Sequence, residues 1–348
     1  MSYYSCYKIM DQGLNIDGRI DGNGRNAKLC CERLPKGKET PGVSFKGTAE
    51  EILDDFLALR QDIIDYSIKE GDKAKDIGEN EWLGCKYCDF FQKENWEPKP
   101  FINYVNLSVY PAPCQCNCCY CTVDRHWDNT NEIKIAYEKL FNVLELADSR
   151  KIISPDAQWQ ISSGEITIHP YKQRFYKLAE KRKATFYTNG FIFDKELARI
   201  LESNPKAKIN ISVDAGTPET WERVKGFDNY KEVYNNLVDY HKASSHSGQI
   251  ELKYIVLPGI NDSKKDYNEF IKLMKKLEVS RLIIARDTGT KYSISKKERL
   301  DLLKSTVRLI DYCYRNNIEV KLSFFSEKEE QGIFRRNKIK KIKRILSK

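Results

Sequence analysis

The sequence predicts an α/β fold in which helices cover a parallel sheet or barrel. Three observations lead to this prediction. The 348 residues suffice for one large domain with a smaller one. The fractions of hydrophobic residues, 41%, and charged residues, 31%, are those of a globular chain. Strand-like and helix-like segments alternate through the middle of the chain, and such β-α pairs indicate parallel strands whose carboxyl ends carry the functional residues.

Three regions follow one another along the chain. Residues 1–100 are irregular and rich in Gly and Cys, and they are predicted to form the smaller domain. Residues 101–290 contain the alternating segments, and residues 291–348 add a helix, a strand at 319–325 and a basic tail. The strand candidates of the middle region, all short and rich in apolar, β-branched or aromatic residues, are 103–110, 157–164, 183–190, 208–216, 251–259 and 280–287.

The predicted helices begin at capping signals. Two of these are capping boxes, in which Ser or Thr is followed three residues later by Glu. Another is a Thr-Pro pair, since proline suits the first helical position. The predicted starts are Thr48 with Glu51, Asp194, Thr217 with Pro218, Asp262 with Ser263, and Ser295 with Glu298.

Composition also indicates the cellular compartment of the protein and the kinds of molecule that it could bind. No apolar run approaches the ~18 residues that a membrane helix needs, and the sequence starts without the apolar core of a signal peptide. We therefore expect a cytoplasmic protein with reduced cysteines. Eight Lys or Arg and no acidic residue lie in the last 14 residues, 335–348, so the net charge of +9 is mainly a property of this tail. The tail is predicted to be a solvated helix, with an anionic-membrane or RNA contact as the alternative.

The 11 cysteines require a role other than disulfide formation in such a compartment. Five of them fall between Cys114 and Cys121, directly after the first strand of the middle region. Here Cys114, Cys118 and Cys121 have the spacing C-x3-C-x2-C. Three thiolates on a short loop can hold three irons of a 4Fe–4S cluster and leave the fourth iron open, as a catalytic metal requires. Structural zinc is the alternative, although zinc sites usually combine two CxxC pairs.

This spacing, with Tyr120 before the last cysteine, resembles the CxxxCxYC signature of the radical S-adenosylmethionine (SAM) superfamily. Segments similar to other motifs of that family follow in order within residues 103–290: Ser163-Gly164-Glu165, Thr188-Asn189-Gly190, Ser212 and Asp214 with Arg223 downstream, and Val256-Leu257-Pro258. The resemblance implies a partial (β/α)6 TIM-like barrel of the radical SAM type. The sequence departs from the family pattern at Ser163, where glycine is usual, and at Ile166, where proline is usual.

The resemblance also implies a set of ligands and a reaction. Cys114, Cys118 and Cys121 would hold the catalytic cluster. The residues that would surround SAM are Tyr120, Ser163, Gly164, Glu165, Asn189, Ser212, Arg223 and Val256. In the family the GGE motif meets the SAM amino group, the serine meets the ribose or carboxylate, and the arginine pairs with the carboxylate. An electron from the cluster cleaves SAM to methionine and a 5′-deoxyadenosyl radical, which abstracts hydrogen from a substrate.

A second set of cysteines lies in the N-terminal region. Cys85 and Cys88 form a CxxC pair, which suits two ligands of one metal. Cys30 or Cys31, after a Gly-rich turn, would return towards Cys6 and complete the set. The region is loosely similar to the SPASM/twitch modules of radical SAM enzymes, which implies an auxiliary 4Fe–4S cluster, although such modules normally follow the barrel. Structural zinc and unliganded thiols are the alternatives.

The predicted function is that of a radical SAM oxidoreductase or maturase. SPASM/twitch relatives mostly modify peptides or proteins, so a peptide is the favoured substrate, with a sugar, nucleoside or other small metabolite as the alternative. Such an enzyme needs an external electron donor such as flavodoxin or ferredoxin. The competing hypothesis is a non-enzymatic zinc protein that binds nucleic acid through its basic tail.

Five single residues have two interpretations each. We interpret His126 and His169 as hydrogen-bonded structural residues, and Cys313 as part of the core. Asp214 and Asp287 follow strands, so they either face the barrel mouth or cap the next helix.

Overall fold

Strands and helices alternate along the chain in the computed structural model, which describes residues 2–20, 24–30, 40–75, 83–88, 90–121, 127, 129–279, 281–287, 295–326 and 328–336. In chain order the strands are Tyr3–Ser5 (β1), Gly13–Arg19 (β2), Arg25–Lys28 (β3), Gly42–Ser44 (β4), Gln92–Glu94 (β5), Ile102–Tyr110 (β6), Ile153–Ile161 (β7), Lys183–Thr188 (β8), Lys208–Ser212 (β9), Ile250–Val256 (β10), Arg281–Arg286 (β11) and Glu319–Ser323 (β12). The helices are Tyr7–Met10 (α1), Ala49–Glu70 (α2), Asn131–Ser149 (α3), Lys172–Ala179 (α4), Lys195–Ser203 (α5), Pro218–Lys225 (α6), Tyr230–Ala243 (α7), Lys264–Lys276 (α8) and Lys296–Arg315 (α9). Each strand predicted after residue 100 is present, with its ends shifted by a few residues.

The helices begin where the capping signals predict. The Glu51 N–H donates to Thr48 Oγ1 at 3.2 Å, and the Thr48 N–H donates to Glu51 Oε2 at 2.7 Å, which completes the capping box of α2. Ser295 and Glu298 form the same box at the start of α9. Thr217 caps α6, a role worth about 1 kcal/mol at a helix start.

The first of two compact units comprises Met1–Cys114 and Asp124–Thr185. Its larger group of strands has the order β7-β6-β2-β3-β4, and β1 and β5 form a separate antiparallel pair. β2 is parallel to β6, with Gly13 opposite Tyr104, and β6 is parallel to β7. β3 is antiparallel to β2, so the chain reverses its direction between these two strands. α2 and α3 contact each other within this unit.

The N-terminal region is more regular than the sequence predicts. β2 extends the sheet that contains β6, so the compact units do not follow the predicted divisions at residues 100 and 290. Asn15 hides the strand pattern between two buried apolar residues, Leu14 and Ile16. Its amide nitrogen is nevertheless paired, because Nδ2 donates to the Leu29 carbonyl at 3.0 Å.

The second unit comprises Gln115–Val123 and Phe186–Lys348, and the division between the units falls within β8. β9, β10, β11 and β12 lie side by side in chain order and are all parallel. Tyr254 of β10 packs against Phe270 of α8 with 4.7 Å between ring centroids, which shows the helix-facing side of the sheet. The described strands do not close into a barrel, as expected for a partial barrel.

No helix in the described ranges combines the length and the apolar character needed to cross a membrane.

Candidate functional site

The loop that follows β6, residues 111–121 and called the cysteine loop below, carries the three predicted cluster ligands. Cys114, Cys118 and Cys121 are all partly exposed, whereas of the other two cysteines of the loop Cys116 is buried and Cys119 is exposed. The Cys121 N–H donates to the Cys118 carbonyl at 3.0 Å, so these two residues share one turn. The described cysteines form no disulfide. The signature spacing therefore selects thiols that are accessible and held on an ordered backbone.

In the second unit, α6 holds the backbone of the cysteine loop. The Asn117 N–H donates to the Lys225 carbonyl at 2.9 Å, and the Cys119 N–H donates to the Val224 carbonyl at 3.0 Å. These carbonyls belong to the last turn of α6, where the helix itself offers no partner. Gly226 ends the helix with φ +80°, and a Cβ there would lie 2.9 Å from Cβ of Asn117. Glycine at this position therefore lets the loop approach the helix end.

A buried ion pair lies behind the loop. Lys225 Nζ lies 2.6 Å from Asp214 Oδ2, and the two side chains are 1% and 0% exposed. The Tyr120 hydroxyl donates to the same oxygen at 2.6 Å and accepts from Lys225 Nζ at 3.0 Å. The Ile255 N–H donates to Asp214 Oδ1 at 2.6 Å, and the Asn261 amide donates to the Asp214 carbonyl at 2.8 Å. These contacts define the anchor network (Tyr120, Asp214 and Lys225), which ties the loop to α6 and to the end of β10.

The anchor network sets the charge around the loop. A hydrogen bond with the Cys116 thiol and the nearby Lys225 ammonium lower the pKa of Cys118 to about 6, against the effect of burial. Burial alone disfavours the Lys225 ammonium, but the charges of Asp214 and Cys118 outweigh it and raise the pKa of Lys225. Burial and the Asp214 carboxylate both raise the pKa of Tyr120. The surroundings of Cys118 thus favour a thiolate, the form that binds metal.

In the first unit, the segment Ser163-Gly164-Glu165 at the end of β7 lies against the start of the cysteine loop. The Glu165 N–H donates to the Pro113 carbonyl at 2.8 Å. Gly164 has φ +58°, and a Cβ there would lie 2.6 Å from the Pro113 oxygen. Only glycine allows this close approach without strain. The backbone directly before Cys114 is therefore fixed by the glycine-containing motif.

The side chains of this segment have internal partners. Ser163 Oγ accepts from the Val109 N–H at 3.3 Å, so its hydroxyl supports β6. Glu165 is 1% exposed, and its Oε1 accepts from the Thr167 N–H at 3.1 Å and from the Thr167 hydroxyl at 2.7 Å. Ser163 is itself 1% exposed, so the backbone of this segment is the part that a ligand can reach most readily.

The predicted residues of the second unit lie at or near the carboxyl ends of strands. Asn189 follows β8, and its Oδ1 lies 3.5 Å from Gln115 Nε2 of the cysteine loop. Ser212 ends β9 and is partly exposed. Arg223 of α6 is exposed and makes one long contact, 3.4 Å, to the Gly259 carbonyl. The other N–H groups of its guanidinium can therefore serve a ligand.

Val256 ends β10, but its side chain is 1% exposed. Alternation along the strand directs it to the same side as Tyr254. Its neighbours Ile255 and Leu257 instead form an apolar cluster against which Tyr120 of the cysteine loop packs. On this strand, the side chains that reach the loop are those on either side of the predicted residue.

The N-terminal cysteines come together in the first unit. Cys6, Cys30, Cys85 and Cys88 line one cavity, called the cysteine cavity below. Cys6 precedes α1, Cys30 follows β3, and the CxxC pair lies on or beside the 3-10 turn Leu83–Tyr87. The rest of the lining is largely apolar: Ile9, Leu29, Pro41, Phe90 and Phe91, with Tyr7, Lys8 and Thr40.

The donors of the cysteine cavity suit a thiophilic metal group. Burial raises the pKa of Cys6 and of Cys85, and the neighbouring cysteines add to this effect. A bound metal would offset that, since coordination deprotonates a thiol. No three His, Cys, Asp or Glu side chains in the described ranges form a ready-made group for a single metal ion. Four thiols spread around a cavity fit a cluster, which binds each thiolate through a different iron.

Sequence analysis missed Lys225 of the anchor network and Arg60 behind the cysteine cavity. Arg60 of α2 donates to the carbonyls of Ile9 at 2.7 Å, Met10 at 3.0 Å and Lys99 at 3.0 Å, so it fixes the turn after Cys6. A basic residue in an amphipathic helix usually faces solvent. The partners of both residues lie far away in the sequence. The one signal in the sequence was the position of Asp214, the partner of Lys225, at the end of a strand.

The single residues with two interpretations are largely settled. His169 is 2% exposed, its Nε2 lies 3.1 Å from the Tyr137 hydroxyl, and burial lowers its pKa to about 3, which fits a neutral structural residue. Cys313 is buried in α9, as predicted. Asp214 belongs to the anchor network and does not cap α6. Cys31, His126 and tail residues 337–348 lie outside the described residues.

Comparisons with known proteins bear on the family and the fold of this chain. Residues 112–271 match the sequence model of the Radical SAM superfamily. SuiB of Streptococcus suis, solved with the precursor peptide SuiA, has a similar fold, with a TM-score of 0.51 and 14% identity over 82% of this chain and 56% of that chain. A radical SAM methyltransferase from Sphaerobacter thermophilus gives a TM-score of 0.42 and 13% identity over 61% of this chain and 63% of that chain. This chain thus spans a little over half the length of SuiB. No curated protein matches it in sequence.

Proposed function

We propose, from the premise that this chain belongs to the radical SAM superfamily through residues 112–271, that it is an enzyme which cleaves SAM reductively at a 4Fe–4S cluster. The ligands of that cluster are Cys114, Cys118 and Cys121. When bound, the cluster and SAM supply one-electron cleavage of the sulfonium C–S bond and a 5′-deoxyadenosyl radical that takes hydrogen from the substrate. The observation that carries the proposal is the cysteine loop, whose signature thiols are partly exposed while its backbone is held at Pro113 by Glu165 and at Asn117 and Cys119 by α6.

The chain itself binds and orients these groups. Three thiolates would hold three of the four irons of the cluster, so the fourth iron would have an open coordination position for SAM. The anchor network holds the loop in place, and the Lys225 ammonium offsets part of the negative charge that Cys118 brings. The polar groups of the anchor network are already paired with one another, so little rearrangement of the protein is needed when the cluster and SAM bind.

The proposed SAM contacts follow the family motifs. Gly164 and Glu165 meet the SAM amino group, Ser212 meets the ribose or carboxylate, and Arg223 pairs with the carboxylate. The exposure of Arg223 and its single long internal contact support this role. The other proposed contacts are Tyr120, Asn189 and the backbones of Ser163 and Val256, whose side chains are each 1% exposed.

The cysteine cavity is proposed to bind an auxiliary 4Fe–4S cluster through Cys6, Cys30, Cys85 and Cys88. Four thiolates would complete the coordination of that cluster. It would then relay electrons or brace the N-terminal region, and it would not bind substrate directly. Structural zinc is the alternative occupant.

A peptide or protein is the favoured substrate class, because SuiB, which is similar in fold, was solved with a precursor peptide. A sugar, nucleoside or other small metabolite is the alternative. An external electron donor such as flavodoxin or ferredoxin supplies the reducing electron. We place the reaction in the cytoplasm, where thiols stay reduced.

The test is SAM cleavage by protein that has been reconstituted anaerobically and reduced with dithionite. We expect equal amounts of methionine and 5′-deoxyadenosine from the wild type and none from Cys118→Ala. Cys313→Ala is the matched control, because Cys313 is fully buried in α9 and lies in neither cysteine region. Undiminished product from Cys118→Ala, or none from iron-loaded wild type, would contradict the proposal.

A further inference from the structure

The face of β9 and β10 opposite the helices carries polar side chains below the anchor network. Side chains alternate between the two faces of a strand, and Tyr254 identifies the helix-facing set. The opposite set is Lys208, Asn210 and Ser212 on β9 and Glu251, Lys253 and Ile255 on β10. Asn210 is in register with Glu251, and Ser212 with Lys253. This face therefore leads from β9 towards the residues proposed to contact SAM.

Lys253 is the unpaired lysine of this surface. Lys208 pairs with Glu251 at 3.0 Å, and Lys225 of the anchor network pairs with Asp214 at 2.6 Å. Within the described part of the chain, Lys253 has no carboxylate partner inside the 4.0 Å ion-pair limit. Burial lowers the pKa of Lys253, while the Asp214 charge raises it, so its ammonium is within electrostatic reach of the anchor network. A partly buried cation without an anion is uncommon in a folded protein.

An aromatic ring lies beside this ammonium. Lys253 Nζ is 5.4 Å from the ring centroid of Phe324, directly after β12. Phe324 has φ +64° and is 48% exposed, although a bulky residue rarely adopts this conformation. The ring therefore stands next to the cation and not in the core. Strained residues of this kind cluster at ligand sites.

A buried amide points to a ligand independently. Asn210 is 1% exposed, and neither its amide nitrogen nor its oxygen has a partner among the described residues. It lies on the same face as Lys253, on the adjacent strand, and is in register with Glu251, two residues before Lys253. Buried polar groups are normally paired, and those that are not need an explanation such as a missing ligand or water.

We propose that Lys253 and Asn210 form a subsite for a carboxylate group of the substrate, beside Ser212 on the inner face of β9 and β10. One ammonium balances the single charge of a carboxylate, whereas a phosphate group would leave further negative charge without a partner. The inference rests on the proposed function and sharpens it: the substrate is an acidic peptide that presents an Asp, Glu or C-terminal carboxylate. Phe324 flanks the bound group from the side of β12.

The test uses two amino-acid probes whose amino and carboxyl termini are blocked, so that they differ in side-chain charge alone. They are added to the full chain, which is reconstituted anaerobically but not reduced. N-acetyl-glutamate methylamide should show saturation transfer by NMR, whereas its isostere N-acetyl-glutamine methylamide should not. Lys253→Gln should weaken binding of the acid at least ~tenfold, the loss expected for a charge-assisted hydrogen bond. Lys265→Gln, which removes the same charge from an exposed position on α8, should leave binding unchanged.

Equal binding of the two probes to the wild type would overturn the subsite, and this comparison needs no variant to fold. Undiminished binding of the acid to Lys253→Gln would also overturn it. The wild type and Lys253→Gln should bind SAM with the same affinity, which equilibrium dialysis measures. If SAM affinity falls and acid binding does not, the ammonium serves the SAM carboxylate and the proposal is wrong. SAM cleavage is measured separately, so cleavage without acid selectivity overturns the subsite alone, and selectivity without cleavage overturns the proposed function.

Discussion

The two cysteine-rich regions of this chain are built in opposite ways. The cysteine loop carries its five cysteines within eight consecutive residues, and hydrogen bonds with Glu165 and with α6 fix its backbone. The cysteine cavity gathers its four cysteines from three separate segments and is walled mainly by apolar side chains. One region is therefore local and polar, and the other depends on distant segments and is largely apolar.

This difference extends to the charge that each region favours. In the loop, a hydrogen bond with Cys116 and the Lys225 ammonium lower the pKa of Cys118 to about 6. In the cavity, burial raises the pKa of Cys85. The comparison teaches that the loop offers accessible thiols, one of which, Cys118, lies beside a preformed cation that favours its thiolate. The cavity instead offers a closed set of thiols, as a fully coordinated cluster requires.

The largest effect on stability is expected for the anchor network. Lys225→Met leaves the Asp214 carboxylate fully buried without its cation. We expect the free energy of unfolding to fall by about 3–5 kcal/mol, the usual result of removing one partner of a buried ion pair. Chemical denaturation measures it, and Lys265→Met, at an exposed ion pair of 3.7 Å, should change stability by less than ~1 kcal/mol. A small effect of Lys225→Met would mean that the loop does not depend on this network.

The close approach at Gly164 tests the other attachment of the loop. Gly164→Ala combines a left-handed backbone conformation with a contact of 2.6 Å to the Pro113 oxygen. We expect a loss of about 2–4 kcal/mol from strain and crowding together. Gly259→Ala is the matched control, because Gly259 has φ +78° and no atom within 4 Å of the added Cβ. Equal losses in the two variants would show that the contact with Pro113 contributes nothing.

Arg60 provides the corresponding test of the cysteine cavity. Arg60→Met removes the donor shared by the carbonyls of Ile9, Met10 and Lys99. We expect a loss of about 1–3 kcal/mol in the free energy of unfolding, because buried carbonyls lose a partner. Arg199→Met, at an exposed position of α5, should be nearly neutral. Because two of these carbonyls, those of Ile9 and Met10, belong to the turn after Cys6, the variant should also lower metal retention in the cavity while SAM binding is maintained.

The smallest effect is the response to acid near the glycine-containing motif. Burial lowers the pKa of His169 from 6.5 to about 3, so the unfolded chain binds a proton in this range and the folded chain does not. The stability that neutral His169 provides is full above pH 6.5 and falls by about 1.4 kcal/mol per pH unit below it. His169→Gln should reduce this slope in denaturation curves between pH 7.5 and 5. The thiols of the cavity with a raised pKa stay neutral throughout this range, so a slope that persists in the variant would point to another group.

Local features of the sequence predicted most of the fold. The strands after residue 100 and the capping boxes at Thr48 and Ser295 depend on neighbouring residues, and the structure contains them. The C-x3-C-x2-C spacing located the cysteine loop for the same reason. The glycine at 164 could be picked out by its motif, although its contact with Pro113 could not.

Long-range pairings could not be predicted. Lys225 is 105 residues from Tyr120 in the sequence, and nothing in α6 indicates a buried charge. Asp214 was open to interpretation as a helix cap or as a residue of the barrel mouth, because a position directly after a strand fits both roles. The sheet position of β2 was also hidden, since the buried amide of Asn15 interrupts its apolar pattern. In each case a buried polar group has a partner that only the fold brings near.

The most direct test of the central claim compares Cys118→Ala with Cys85→Ala after anaerobic reconstitution. Iron, sulfide, zinc and 5′-deoxyadenosine are measured on the same samples. We predict about eight irons in the wild type and about four in each variant, as expected for two 4Fe–4S clusters. Cys118→Ala should form no 5′-deoxyadenosine, whereas Cys85→Ala should still form it. Zinc in place of iron, or the loss of product in Cys85→Ala with full product in Cys118→Ala, would contradict the account.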